Sequence, residues 1–317
     1  MLELKDLRFV VCSYDCVADT MIERITIIGT GLIGSSIGLA LRASGFEGDI
    51  NGIDANREEY LAALNRKAIT ESRVRVRPSS LVGTSGDAET DVLLLTADVI
   101  ILAVPVLAIK DWMHKLAPIL KPHQLVTDVG STKLEIADLA RQLFSSPTTA
   151  RFLPGHPMAG KESGGASLAE AFLFVRATWL FTPVYPDTTP IEEQWRDWVT
   201  RLGAITMDLD PARHDELCAW VSHLPQMLST ALAALLEDTF GDAPEIAAVG
   251  GRALRETTRL GASPYSMWRD VAMTNTKPIA ETLHALEQRL AHIRENLRTP
   301  ELRDEFTRAN KFREHHS

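Results

Sequence analysis

The segment Ile25-Thr26-Ile27-Ile28-Gly29-Thr30-Gly31-Leu32-Ile33-Gly34 constrains the fold more than any other in the chain. A short apolar, β-branched run stops at a glycine-rich turn, and an apolar helical pattern starts at once. Gly29 permits the tight turn, Gly31 lets a pyrophosphate approach the backbone, and Gly34 allows the helix to pack closely on the strand. The free N–H groups of the helix start then face the anion. Spacing of this kind is weak when it stands alone, because glycine-rich turns also occur as plain structural turns. Its place between a strand and a helix gives it weight, as does Asp54 at the end of the next apolar strand. A carboxylate there accepts hydrogen bonds from an adenosine ribose and repels a 2′-phosphate, so the expected cofactor is NAD rather than NADP. Arg57 is the one nearby residue suited to such a phosphate, and a solvated first-turn residue is its simpler reading. Leu32 and Ile33 belong to the same cofactor surface, and Val104 and Pro105, at the end of a later strand, form an apolar wall beside it.

From Ile25 onward, short apolar runs alternate with helical patterns, as in a parallel α/β sheet. The expected strands are Ile25–Ile28, Ile50–Asp54, Val99–Val104, Leu125–Asp128, Arg151–Leu153, Thr178–Thr182 and Ala204–Leu209; Leu32–Ser44 and Thr132–Leu143 are expected helices. After about Asp210 helix follows helix. Leu217, Val221, Leu224, Leu228 and Leu235 fall on one helical face, and Ile279, Leu283, Leu286, Leu290, Ile293 and Leu297 repeat at alternating four- and three-residue spacing. Either stripe fills an intramolecular core, or the second lies in a dimer seam. The fold class expected is α/β, a Rossmann-type doubly wound parallel sheet followed by an all-helical C-terminal domain. The boundaries are an extension over 1–20, a dinucleotide-binding domain over 21–210 and a helical substrate and dimerisation domain over 211–317. The extension carries no motif, and Met21 is an alternative start.

Charge and cysteine usage limit the partners. A formal net charge of −9 over 317 residues argues against nucleic acid or an anionic membrane as partner. It also requires that any anionic substrate be held by locally placed Arg or Lys. Three cysteines, Cys12, Cys16 and Cys218, make neither a disulfide framework nor a metal-ligand pattern, which fits a reducing, cytoplasmic setting. No secretory signal or membrane span is visible, since the most apolar stretch, Val92 to Ile109, contains Asp98 and Pro105.

A dinucleotide fold names no substrate. Later segments do: Thr127-Asp128-Val129-Gly130-Ser131-Thr132-Lys133, Gly155-His156-Pro157-Met158-Ala159-Gly160-Lys161-Glu162-Ser163-Gly164, Ser222-His223-Leu224-Pro225-Gln226, Thr257-Thr258-Arg259 and Met267-Trp268-Arg269-Asp270. In this order they resemble the prephenate/arogenate dehydrogenase family, from about Glu23 to Leu297. The resemblance implies NAD-dependent oxidative decarboxylation of a cyclohexadienol, with prephenate giving 4-hydroxyphenylpyruvate or arogenate giving tyrosine.

It also implies roles. His156 falls on the family's catalytic histidine, a neutral imidazole that draws off the hydroxyl proton. Ser131 falls on the serine that orients the hydroxyl, although an N-cap of the next helix also explains it. Arg259 matches the arginine that binds a substrate carboxylate, whereas Arg252 and Arg255 on the same helical face read more simply as solvated. His223 and Gln226 are expected at the substrate. The family often has histidine at both of these positions, so Gln226 is a departure that puts pH behaviour and specificity in question. Glu162 and Asp215 match acidic positions around the active-site mouth, and Trp268 reads first as core. No metal is expected, and a homodimer through the helical domain is. Two rivals remain: a hydroxyacid dehydrogenase, which needs a G-x-x-K-x-x-N segment absent here, and a dinucleotide-sensing regulator, which needs none of these residues.

Overall fold

The computed structural model describes residues 22–70, 88–161 and 163–316. The N-terminal extension and Glu162 lie outside them. Five strands form a parallel sheet in the order β2-β1-β3-β4-β5: β1 Arg24–Ile28, β2 Asp49–Ile53, β3 Val99–Leu102, β4 Leu125–Asp128 and β5 Arg151–Leu153. The Val-Ile-Ile-Leu run of β3 and the nearly continuous apolar run of β1 are what a sheet covered on both faces demands. Ile25, Ile27, Val99 and Ile101 enter one core cluster, while Ile28, Ile100 and Leu102 enter another. Helices α1 (Leu32–Ala43), α2 (Arg57–Asn65), α3 (Ala88–Thr96), α4 (Val106–Leu116) and α5 (Leu134–Leu143) connect these strands. Strand order reverses at β1, which has β2 on one side and β3 on the other. Such a reversal opens a crevice at the carboxyl ends of the strands.

One continuous parallel series is not what forms. At Pro154 the chain leaves the first sheet and starts a second, β6-β7-β8, built from Gly155–Pro157, Thr178–Phe181 and Ile205–Asp208. Proline offers no N–H to a ladder, so β5 ends there. Strand β6 runs antiparallel to β7, and β7 runs parallel to β8. Helix α6 (Pro190–Arg201) lies between β7 and β8 in sequence.

From Pro211 every described element is helical: α7 Pro211–Cys218, a π-helical turn Ala219–His223, α8 Leu224–Phe240, α9 Pro244–Val249, α10 Arg252–Thr258, a 3-10 turn Arg259–Ala262, α11 Tyr265–Thr274, α12 Thr276–Glu295 and α13 Pro300–His316. The π turn is the local answer to Pro225, which lacks an N–H and crowds the carbonyl one turn back. It also shifts the phase of the expected Leu217–Leu235 stripe. Val221 and Leu235 are 64% and 63% exposed in the single chain, and Leu228, Leu290 and Leu297 are exposed as well. An intramolecular core is therefore the wrong reading for these residues.

Candidate active site

A cavity of about 640 Å³ opens at the carboxyl ends of β1, β3 and β4, between the sheets and the helices that follow. Its walls include Leu32, Ile33, Val104, Pro105, Ser131, His156, Met158, Lys161, Gln226, Arg259 and Trp268. The glycine turn lies at one end. Gly29 has φ +93°, and a Cβ there would sit 2.3 Å from the Ala103 carbonyl oxygen. At Gly31, by contrast, a Cβ would meet nothing within 4 Å, so the turn presents open backbone there. That open cradle fits the pyrophosphate of a dinucleotide.

Asp54 is more engaged than its sequence position indicates. Its Oδ2 accepts from the Thr30 N–H at 2.6 Å and from the Thr30 hydroxyl at 3.1 Å, and its Oδ1 accepts from the Asn56 N–H at 2.7 Å. It fixes the turn and retains a lone pair on Oδ1. Arg57 is exposed on the first turn of α2.

The opposite wall carries His156, which sits inside strand β6 and pairs with Leu180, in a segment outside the expected strands. Asp128 anchors this wall. Its Oδ1 accepts from the Gly155 N–H at 3.2 Å and its Oδ2 from the Gly130 N–H at 2.8 Å, so one carboxylate ties the segments bearing His156 and Ser131. The Lys133 ammonium pairs with Asp128 Oδ2, both side chains fully buried. Burial pushes the Asp128 carboxyl upward, and Lys133 pulls against it.

Behind His156 lies a relay that the sequence hides. His156 Nδ1 is 2.9 Å from His214 Nε2, and His214 Nδ1 is 2.8 Å from Asp215 Oδ1. Asp215 also accepts the N–H groups of Lys133 at 2.7 Å and Leu134 at 2.9 Å, and so caps α5 from another part of the chain. A helix N-terminus is a favourable place for a carboxylate. An acceptor-only carboxylate makes His214 Nδ1 the donor, which leaves His214 Nε2 as acceptor and His156 Nδ1 as donor. With Nδ1 committed to His214, Nε2 is the His156 nitrogen left for the cavity, with its lone pair free. Burial holds His156 well below the usual histidine value, and His214, Lys133 and His223 push the same way. His214 is also lowered, by burial first, against the opposing pull of Asp215. The arrangement is a neutral imidazole, fixed in one tautomer and facing a largely apolar cavity.

Of the other expected site residues, some line the cavity and some stand behind it. Asp215 is buried behind the relay, not at the mouth, because it caps α5. His223 is fully buried off the cavity: its Nδ1 lies 3.1 Å from the Asn275 amide and its ring stands edge-on to Trp268, which itself faces the cavity. Burial lowers His223 to about 4. Gln226 lines the cavity, but its amide holds a neighbour. Nε2 donates to the Leu260 carbonyl at 2.7 Å and to Thr230 at 3.1 Å, and Oε1 accepts from the Ser263 hydroxyl at 3.3 Å. It thereby pins the 3-10 turn that begins at Arg259. That turn also takes Arg259 off the α10 face. Arg252 and Arg255 stay exposed, on Glu256 and on the Gly250 carbonyl. Ser131 lines the cavity and is not the cap of α5, which begins after Lys133.

Sequence reasoning passed over His214 and Lys133. The available signal was the adjacent His214-Asp215 pair, since a carboxylate one residue away is a ready partner for a ring N–H.

A dinucleotide turn facing a neutral, oriented imidazole across an apolar cavity defines a dinucleotide-dependent oxidoreductase. Comparison with known proteins narrows the class. Residues 37–206 match the family model for the prephenate dehydrogenase nucleotide-binding domain, and residues 210–312 match that for the prephenate dehydrogenase dimerization domain. The chain belongs to the prephenate dehydrogenase family. It is 33% identical to the prephenate dehydrogenase of Lactococcus lactis over 86% of this chain and 70% of that protein. It is 29% identical to that of Bacillus subtilis, over 82% of this chain and 66% of that one. Among solved structures, prephenate dehydrogenase from Aquifex aeolicus in complex with hydroxyphenyl propionate and NAD+ superposes with a TM-score of 0.77 at 26% identity, covering 93% of this chain and 96% of that one. Synechocystis arogenate dehydrogenase superposes with a TM-score of 0.71 at 29% identity, over 93% and 100%. Among the described residues, no helix is long and apolar enough to cross a membrane.

Proposed function

We propose that this chain catalyses the NAD-dependent oxidative decarboxylation of prephenate to 4-hydroxyphenylpyruvate. The observation that carries the reading is the Asp215–His214–His156 relay, which leaves one imidazole nitrogen as a proton acceptor on the cavity wall. NAD bound along the Gly29–Gly34 turn supplies the acceptor for the hydride that leaves the ring carbon bearing the 4-hydroxyl. His156 Nε2 takes the hydroxyl proton, which makes loss of the hydride easier. General base assistance of this kind contributes about 10²–10⁴-fold. As the ring of His156 becomes cationic, its Nδ1–H bond to His214, itself bonded to the Asp215 carboxylate, steadies the charge. The ring carboxylate departs as CO2, and aromatisation drives the step.

Ser131 orients the hydroxyl, and Arg259 receives a substrate carboxylate through its paired N–H groups. Val104, Pro105 and Met158 exclude water from the reacting face. Gln226 acts through the turn it pins and His223 by supporting Trp268, while Glu162 stays a candidate substrate contact. NADH absorbance on mixing the protein with NAD and prephenate tests the reading, and no absorbance change with either cyclohexadiene overturns it. The Synechocystis relative makes arogenate the second substrate to measure, with NADP run beside NAD in both cases.

The exposed Leu228, Leu235, Leu290 and Leu297 lie within the region matching the dimerization-domain model, which supports a homodimer through the helices. Light scattering of the purified chain at twice the monomer mass is the expected result. Cys218, buried and unpaired, fits a reducing, cytoplasmic setting.

A further inference from the structure

Cys218 lies beside the relay and has no part in the proposed reaction. Its Sγ is 3.6 Å from His214 Nε2 and 4.0 Å from His156 Nδ1, and the two nitrogens are 2.9 Å apart. His214 and Cys218 are four residues apart on α7, so they share one helical face. A zinc ion with Zn–N of about 2.0–2.1 Å and Zn–S of about 2.3 Å holds such donors roughly 3.3–3.7 Å apart. The three atoms are within a few tenths of an ångström of that spacing, and a small rotation of one ring opens the N···N distance. The outer partner is also in place. Metal-bound imidazoles characteristically donate their second N–H to a carboxylate, as His214 Nδ1 does to Asp215 at 2.8 Å. Around the cluster stand Asp128, Asp215 and Lys133, which leave one net negative charge before any thiolate forms. The site suits a thiophilic dication.

We propose that His156, His214 and Cys218 form an inhibitory binding site for Zn2+. The ion replaces the proton shared between the two imidazoles, which is taken up at His156 Nε2, and displaces the thiol proton, which leaves to solvent. The consequence for catalysis follows from tautomerism. A neutral imidazole that ligates through Nδ1 carries its proton on Nε2. The nitrogen that faces the cavity then becomes a donor, and the base is gone. The Gly29–Gly34 turn shares no residue with the three ligands, so NAD binding is untouched. This consequence rests on the proposed role of His156; occupancy of the site does not.

The test uses the full chain, stripped with a chelator and titrated with Zn2+ or Co2+ alone. One ion per chain should bind, and Co2+ should give a thiolate charge-transfer band that is absent from Cys218→Ala and Cys218→Ser. Zn2+ should lower kcat with the KM for NAD unchanged, and chelation should reverse the effect. Both variants should keep metal-free turnover and require about tenfold or more additional Zn2+ for the same inhibition. Absence of stoichiometric binding, or a cobalt band and zinc sensitivity that survive in both variants, overturns the site. A cobalt band with turnover unchanged under Zn2+ overturns the tautomer consequence, and with it His156 as the base. A chain inactive on both cyclohexadienes overturns the functional reading alone, because the band and the stoichiometry still judge the site.

Discussion

The glycine turn between β1 and α1 is held by backbone, whereas the imidazole on β6 is held by side chains drawn from two distant segments. At the turn, Gly29 N–H donates to the Ile53 carbonyl at 2.7 Å, and the side chains of Asp54 and Ser35 also grip backbone. At the imidazole, Asp128 fixes the strand, His214 fixes the ring and Asp215 fixes His214. The difference teaches where each half is vulnerable. A backbone-built site fails when a Cβ intrudes, and a relay fails when a ring or a carboxylate is exchanged for a group of similar size.

The sharpest way to break the comparison is at the relay's end. His156→Asn keeps a polar side chain of similar reach and removes the base, so kcat should fall by about 10²–10⁴-fold while the NAD dissociation constant holds. Steady-state rates with NADH absorbance, beside a fluorescence titration with NAD, separate the two. Arg259→Gln should raise the KM for prephenate by about 10- to 100-fold, the scale of one lost charge-assisted contact of roughly 1.5–3 kcal/mol, with the KM for NAD little changed. Equal effects on both KM values would remove Arg259 from the substrate site. His214→Asn should lower kcat by about tenfold, the lower end for a group that orients a base, with both KM values preserved.

On the turn, Gly31→Ala and Gly34→Ala should part company. A Cβ at Gly34 would lie 2.0 Å from the Gly29 carbonyl oxygen, so Gly34→Ala should lower the melting temperature. Gly31→Ala meets no protein atom within 4 Å and should leave melting unchanged while weakening NAD.

The smallest effect is in pH. Burial holds His156 well below the ordinary histidine value of 6.5, so the base stays unprotonated as pH falls past that value. The acid limb of kcat/KM should therefore lie below pH 6.5 and rise through the lowered value. A limb centred at or above 6.5 would mean that the ring is solvated.

Legibility in the sequence follows the same divide. The turn was readable because each glycine has a local reason and the flanking strand and helix announce themselves within ten residues. The β1–β5 series was readable because its strands are short, largely apolar runs set between helical patterns. Strand β6 was not: Gly155-His156-Pro157 has no strand propensity and exists only by pairing with β7. His214 was hidden because its partner His156 is 58 positions away, and no periodicity records such a contact. Asp215 was given the right neighbourhood and the wrong contact, and Gln226 the cavity that it lines but not the turn that it holds. One caps a helix and the other pins a turn, and both bonds depend on segments that sequence alone does not bring together. The stripe from Leu217 to Leu235 does not form one face, because the π turn at Ala219–His223 shifts α7 against α8.

The relay itself is open to direct observation by nitrogen-15 NMR of the histidine rings at neutral pH, with His156→Asn used to assign the signals. The structure requires a neutral His156 with its proton on Nδ1 and an unprotonated Nε2, shifting only when the solution is made well more acidic than pH 6.5. A ring protonated on Nε2, or an imidazolium at neutral pH, contradicts the base that the proposed reaction needs.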